Sequence, residues 1–333
     1  MSHPFSLFTY PFSLIAFLFM SLSLLPSIFL QVCLPLMLVV GVGFFMDRRF
    51  KLNLESLVKL NLYVMVPAFI FARLLDTPMA GHEAGRIMLA AFSTLMLCGV
   101  VSFFVGRALH LNGAAQKAHS LASMLGNCGN FGLPLVTLAF GKEAAAVQVY
   151  VLVTMNVSTF TVGLFLANAD ARGGWRSHAR ALTATLRQPA LYAVTAAVLC
   201  KSLDLPVQSV TWLWEPVKML ADVLVGFALV TLGVQLSQTQ HAPLRAPLVS
   251  ALAVRLLIGP AIAFALTQMM HFPKPLAAVI ILTAGSPTAV NSALLAYEFG
   301  GDRQFATSSV YYSTLLSMLT VTVNLAVLRW WMA

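Results

Sequence analysis

Long apolar runs separated by short polar segments make up nearly the whole chain after residue 27. A helix that crosses a bilayer needs about 20 predominantly apolar residues. The pattern therefore predicts an all-α polytopic membrane protein with ten transmembrane helices. The predicted spans are residues 28–46, 57–75, 87–109, 117–140, 144–168, 189–203, 217–236, 246–270, 275–299 and 305–328.

The fourth and ninth spans are interrupted by residues that disfavour helix. The fourth contains Gly-Asn-Cys-Gly-Asn-Phe-Gly-Leu-Pro at 126–134, in a stretch without a charged residue, and the ninth contains Gly-Ser-Pro-Thr-Ala-Val-Asn at 285–291. Glycine and proline are poor helix formers, and proline also removes a backbone donor. Both helices are therefore predicted to break inside the membrane. Interrupted spans at corresponding positions of two halves indicate a transporter's substrate site.

The two halves of the chain carry matching landmarks at a nearly constant separation. Pro35 and Pro189 lie 154 positions apart, and Pro134 and Pro287 lie 153 apart. Because each half holds five spans, an odd number, the second copy must be inverted in the membrane. The predicted parts are an N-terminal extension of unassigned role (1–26), a first five-helix repeat (27–169), a cytoplasmic loop (170–187) and a second, inverted five-helix repeat (188–333).

Composition supports a membrane protein and excludes two other classes. The chain is 59% hydrophobic and 9% charged, whereas soluble domains are about 25% charged. Its net charge of +9 is not gathered on one face, so no nucleic-acid partner is predicted. The basic residues favour the loops predicted to be cytoplasmic, which places both termini on the external, periplasmic side of the cell inner membrane. The four cysteines are scattered singly, without disulfide or metal-ligand spacing.

The broken helices suggest a binding site for an anion. A half-helix that begins inside the membrane presents free N–H groups and a partial positive charge. Neutral donors surround both breaks, so a carboxylate could be held without a buried arginine. The opposed carbonyl ends could instead coordinate Na⁺, and the glycines could simply allow close helix packing. The predicted substrate-binding residues are Asn127, Gly129, Asn130, Pro134, Ser286, Pro287, Thr288 and Asn291.

Two charged residues within spans, Asp222 and Arg255, are the candidates for ion coupling. Asp222 could carry a coupling proton or pair with the nearby Lys218. Arg255 could reach the cytoplasmic interface or counter an acidic group. No cofactor and no metal site is predicted, and H⁺ or Na⁺ is the candidate coupling ion. The seven histidines fall in loops or at span ends, and no catalytic arrangement is evident, so an enzyme is not predicted.

The motif at 126–135, the motif at 285–291, and Tyr-Glu-Phe-Gly-Gly-Asp at 297–302 resemble the auxin efflux carrier family. That family belongs to the superfamily of bile-acid, arsenite and riboflavin transporters and includes PIN-type auxin carriers and bacterial malonate and malate permeases. The resemblance implies ten helices in two inverted repeats, a scaffold domain, a crossover domain and elevator-type alternating access. It also implies carboxylate binding at the crossover, with Asn127, Asn130 and Asn291 as the carried-over positions. The extension at 1–26 departs from the family pattern.

Together these features predict a secondary active transporter of a small organic anion, such as a mono- or dicarboxylate. One alternative is a Na⁺-coupled symporter of the bile-acid type, although the acidic and glutamine ligands of those proteins are not evident beside the second break. The other alternative is a non-transporting sensor or a channel of the same fold. The predicted partners are the substrate anion and the lipid bilayer, and homodimerisation is left open.

Overall fold

The computed structural model describes residues 25–76, 81–163, 166, 189–239, 242–298 and 301–333. Across these ranges the chain is helical apart from short connections, and the β-structure is limited to one isolated bridge between Gly126 and Thr288. The predicted all-α class is therefore confirmed. The predicted extension as far as residue 24 and the predicted loop at 170–187 lie outside the described residues.

We number the helices of this described part α1–α12 in chain order. They are α1 (Leu25–Phe50), α2 (Leu54–Asp76), α3 (Gly81–Ala108), α4 (Gly113–Met124), α5 (Cys128–Phe140), α6 (Lys142–Gly163), α7 (Pro189–Ser202), α8 (Thr211–Gln238), α9 (Ala246–Met269), α10 (Lys274–Ala284), α11 (Val290–Glu298) and α12 (Arg303–Met332).

Seven of the described helices are long and apolar enough to cross a membrane, namely α1, α2, α3, α6, α8, α9 and α12. Helices α5, α7 and α10 are apolar but shorter. The fourth and ninth predicted spans are each divided into two helices, α4 with α5 and α10 with α11. The described part of the chain thus holds seven candidate membrane spans, while the count of ten spans and the inverted repeat stay predictions.

Polar residues just outside three helices fix where those helices begin. The side chains of Asn53, Asn112 and Asp302 accept hydrogen bonds from the backbone N–H groups three residues later, at 2.8, 2.9 and 2.9 Å. An N-cap of this kind satisfies one of the four donors that a helix start leaves unpaired. The predicted span at 217–236 lies within α8, which begins at Thr211 and continues through Pro216. A proline near a helix start loses few internal hydrogen bonds.

Helices α1, α2, α7 and α8 form one packed group, in which α1 packs along α8 and α2 packs along α7. The α1–α8 contact depends on two glycines. A Cβ atom at Gly43 would lie 2.1 Å from the Val230 carbonyl oxygen, and one at Gly233 would lie 1.9 Å from that of Val40. The two backbones therefore touch directly, as small residues allow in membrane helices.

The remaining helices, α3–α6 and α9–α12, form a second group around the two breaks. Within it, α3 packs on α4, α9 packs on α10, and α3 contacts α9. Buried apolar residues fill its interior, including Leu121, Leu125, Phe131 and Ile280. The second group thus surrounds the interrupted segments with apolar protein.

Candidate functional site: the crossing of two broken helices

The two interrupted segments lie side by side in the structure. Helix α4 ends at Met124 and α5 begins at Cys128, while α10 ends at Ala284 and α11 begins at Val290. The Asn127 N–H donates to the Pro287 carbonyl at 2.7 Å, and the Ala289 N–H donates to the Leu125 carbonyl at 2.7 Å. Each break therefore supplies hydrogen bonds that the other lacks, as buried backbone requires. The predicted interruptions are both present, and they pair as a short antiparallel bridge.

Side chains from neighbouring helices hold this crossing. Gln148 of α6 is fully buried, donates to the Cys128 carbonyl at 2.9 Å and accepts from the Thr283 hydroxyl at 2.5 Å. The Ser313 hydroxyl accepts from the Thr288 N–H at 2.9 Å, and the Thr288 hydroxyl donates to the Ala122 carbonyl at 2.9 Å. The unwound backbone is thus satisfied by protein groups.

A cavity of about 380 Å³ lies against the crossing, between the two helix groups. One wall comes from α2 and α8, and the other comes from the breaks and α6. Most of its polar lining is carboxamide: Asn61, Asn127, Asn130, Asn156, Asn291 and Gln235. The one charged residue in the described lining is Glu55, which is exposed and pairs with Lys59 at 2.5 Å. Apart from Glu55, the described lining therefore offers neutral donors and acceptors, and it includes no basic side chain.

Asn127 carries an unused donor at this cavity. Its side-chain oxygen accepts from the Asn130 N–H at 3.1 Å and so caps α5. Its side-chain nitrogen is buried and has no hydrogen-bond partner among the described residues. A buried donor without a partner is costly, which makes this N–H group a candidate position for a ligand acceptor.

Asn130 joins the two walls of the cavity. Its side-chain oxygen accepts from the Asn61 amide nitrogen of α2 at 2.7 Å. This hydrogen bond directs the side-chain oxygen of Asn130 towards α2. The crossing and the α1–α2–α7–α8 group are therefore connected by one amide pair beside the cavity.

The predicted site residues fall into two sets. Asn127, Gly129, Asn130 and Asn291 line the cavity. Pro134, Ser286, Pro287 and Thr288 do not line it and lie behind it in the packed crossing, where Pro287 and Thr288 make the backbone contacts described above. Ser286 is buried, with its hydroxyl 3.0 Å from the position of a Cβ atom at Gly132.

Sequence reasoning did not assign several residues that the structure brings to the site. Asn61, Asn156 and Gln235 line the cavity from α2, α6 and α8, and Gln148 supports the crossing. A single carboxamide in an otherwise apolar span was the available signal for Asn61 and Gln235, whereas Gln148 and Asn156 share α6 with Thr154, Ser158 and Thr159. Which of these amides converge depends on helix packing.

The two coupling candidates lie in different environments. Asp222 is half exposed and accepts from Arg73 at 3.1 Å, while Lys218 pairs with Glu215 at 3.6 Å. The predicted Asp222–Lys218 pair is therefore wrong, because Arg73 of α2 lies closer to the carboxylate. Asp222 is not among the cavity-lining residues. Its role in coupling stays a prediction.

Arg255 is buried and faces no acidic group among the described residues, so both placements predicted for it were wrong. It is 2% exposed and lies on a wide π-helical turn of α9, Val254–Ile258. Its guanidinium donates to the Met124 carbonyl at 2.9 Å and to the Ala284 carbonyl. These are the last residues of α4 and α10, whose free carbonyls attract the cation.

Comparison with known proteins identifies the family. Residues 27–325 match the family described as "Membrane transport protein". The chain belongs to this family. The resemblance to the auxin efflux carriers, which are members of it, is thereby confirmed. The family assignment and the apolar helices together establish that the protein is a multi-pass membrane transporter and not an enzyme.

Relatives of this membrane transport protein cover nearly its whole length. An "Uncharacterized transporter" of Methanothermobacter thermautotrophicus is 25% identical over 297 residues, 87% of this chain and 95% of the relative. A "Putative malonate transporter" of Rhizobium meliloti is 25% identical over 309 residues, 89% of this chain and 94% of the relative. An uncharacterized transporter of Methanocaldococcus jannaschii is 20% identical, with 88% and 96% covered.

Proposed function

We propose that this transporter carries a small organic anion with at least one carboxylate, bound in the asparagine-lined cavity at the crossing. The observation that carries the proposal is the buried Asn127 amide, whose unpaired N–H lies at the start of α5. A helix N-terminus adds a partial positive charge at the same place. Both features favour a ligand that is an acceptor and negatively charged.

Other carboxamides of the cavity can also donate to a carboxylate. Asn130 and Asn291 place further carboxamides near Asn127, and each can donate to a carboxylate oxygen. The volume of about 380 Å³ lies within the usual range for small-ligand sites, about 300–1,000 Å³. The name of the Rhizobium relative, a malonate transporter, agrees with this substrate class.

We further propose ten spans in two inverted repeats, with α1–α6 as the first copy and α7–α12 as the second. The helix contacts support this, because they occur in matching pairs. The contact between α1 and α8 matches that between α7 and α2, the α3–α4 contact matches α9–α10, and α5–α6 matches α11–α12. Such pairing is expected when two copies are related by a pseudo-two-fold axis.

The mechanism proposed is elevator-type alternating access. The cavity lies between the group α1–α2–α7–α8 and the group that contains the crossing, so movement of one group past the other would carry the site across the membrane. Residues lining the cavity reach the surface at Glu55, close in sequence to Arg48, Arg49 and Lys51. Because basic residues favour the cytoplasmic side, we assign this opening to the cytoplasm and both termini to the external side.

Counterflow in proteoliposomes tests the proposed function. Vesicles loaded with unlabelled malonate should accumulate labelled malonate transiently if the protein is a carrier, whereas a channel or sensor gives no accumulation. Asn130→Ala and Asn291→Ala should abolish counterflow while the protein remains folded and inserted. Thr195→Ala, on an exposed face of α7 away from the cavity, is the control and should retain it. Unchanged counterflow in both asparagine variants would contradict the site.

A further inference from the structure

Arg255 occupies the point where the carbonyl ends of two half-helices meet. Its Nη1 atom lies 2.9 Å from the Met124 carbonyl oxygen and 3.5 Å from that of Ser123, both in the last turn of α4. Its Nη2 atom donates to the Ala284 carbonyl at the end of α10. A Cβ atom at Gly126 would lie 3.2 Å from the guanidinium carbon. The guanidinium is therefore packed directly against the crossing.

The charge of Arg255 is balanced by backbone. Each helix C-terminus carries a partial negative charge equivalent to about half an elementary charge, so two ends together balance one guanidinium. None of the ion pairs among the described residues includes Arg255. Arginine stays protonated in proteins. This cation is therefore permanent, in contrast to an ion that binds and dissociates during transport.

We infer that Arg255 is a built-in cation that replaces a dissociable metal ion at the crossing, and that transport is consequently independent of Na⁺. The inference rests on the proposed function, because it names the ion requirement of that same site. The opposed carbonyls could hold either a metal ion or a fixed cation. The inference assigns them to the fixed cation, Arg255. In the structure these carbonyls are hydrogen-bonded to the guanidinium.

A fixed guanidinium also opposes Na⁺ binding by charge. At an effective dielectric of about 20, a unit charge about 4 Å away lowers the affinity of a second cation by roughly a thousandfold. Arg255 is thus a positioning residue, which holds α4 and α10 together so that the adjacent cavity keeps its shape.

The first test replaces Na⁺. In proteoliposomes at constant ionic strength, malonate uptake by the unaltered protein should stay within about twofold when choline replaces Na⁺ on both sides. Uptake that requires Na⁺ would overturn the inference, whereas absence of malonate uptake under every condition would count against malonate as the substrate. The two failures are therefore distinguishable.

The second test removes the cation and restores it from solution. Arg255→Ala should reduce uptake by about tenfold or more, since it leaves two buried carbonyl ends without their charged partner. It also enlarges a small cavity of about 20 Å³ that already borders Arg255. Millimolar guanidinium should then raise the melting temperature of the substrate-free variant and recover part of its uptake. Arg107→Ala, which removes an exposed arginine from the end of α3, is the control and should not respond.

Two further variants cover the case in which Arg255→Ala does not fold. Arg255→Lys keeps the charge but reaches the two carbonyl ends less well, so it should fold and transport more slowly without acquiring a Na⁺ requirement. Gly126→Ala places a methyl group 3.2 Å from the guanidinium carbon and should also slow uptake, whereas Gly226→Ala, with open space around it, should not. Full uptake in Arg255→Ala without added cation, or guanidinium effects equal to those in the control, would overturn the inference.

Discussion

Asn127→Asp separates the structural role of this residue from its binding role. In the structure the Asn127 side-chain oxygen caps α5 by accepting from the Asn130 N–H at 3.1 Å, while its amide nitrogen is buried and unpaired. Aspartate is as good an N-cap as asparagine and has the same shape. The substitution therefore keeps the cap and replaces the free donor with an anionic oxygen.

The expected loss of affinity is large because two effects add. A hydrogen bond to a charged group contributes about 1.5–3 kcal/mol, which is lost with the donor. Two negative charges about 4 Å apart repel by about 4 kcal/mol at an effective dielectric of about 20. Since about 1.4 kcal/mol corresponds to a factor of ten, we expect the dissociation constant for malonate to rise at least 100-fold.

Binding to the purified protein by isothermal titration calorimetry measures this effect at neutral pH. Asn112→Asp is the matched control, because Asn112 also caps a helix, α4, through its side-chain oxygen but is exposed and outside the cavity. The control should bind malonate as the unaltered protein does. Lowering the pH should partly restore binding to Asn127→Asp, since a protonated carboxyl group is again a donor. Equal affinity in Asn127→Asp and the control would refute the reasoning.

Three further predictions concern residues outside the cavity lining. Gln148→Leu should lower the free energy of unfolding by about 1–3 kcal/mol, because the buried Cys128 carbonyl and Thr283 hydroxyl lose their partner. Thermal melts measure this loss against the control Gln208→Leu, which changes an exposed residue, and equal melting temperatures of the two variants would contradict the prediction. Gly43→Ala should destabilise the α1–α8 contact strongly, since its Cβ would lie 2.1 Å from the Val230 carbonyl; a melting temperature like that of Gly226→Ala would count against direct backbone contact. Asp222→Asn should leave malonate uptake within about twofold at all pH values tested, because an exposed ion pair contributes little; loss of the pH dependence of uptake would instead assign proton coupling to Asp222.

The breaks could be predicted from sequence because their cause is local. Glycine, asparagine and proline interrupt otherwise apolar runs at 126–134 and 285–291, and no neighbouring helix is needed to see that α-helix is disfavoured there. Their juxtaposition followed from the matching positions of Pro134 and Pro287 in the two halves. Asn127, Asn130 and Asn291 are therefore candidates that the sequence alone predicts.

The rest of the site depends on which helices pack together. Asn61 reaches Asn130 from 69 positions away, and Arg255 reaches Met124 and Ala284 from 131 and 29 positions away. The partners of Arg255 are backbone carbonyls, which every residue has, so no sequence pattern marks them. For the same reason the sequence suggested an acidic side chain as the partner of Arg255. In the structure the negative charge comes from two helix C-termini.

The central claim is that a carboxylate binds in the asparagine-lined cavity where two broken helices cross. A cryo-EM structure of the protein in lipid nanodiscs, prepared with saturating malonate, tests this claim most directly. The account predicts density for the anion within hydrogen-bonding distance of the Asn127 amide nitrogen, between α2 and the start of α5. Density for malonate at a different place, with this cavity unchanged from the anion-free protein, would contradict it.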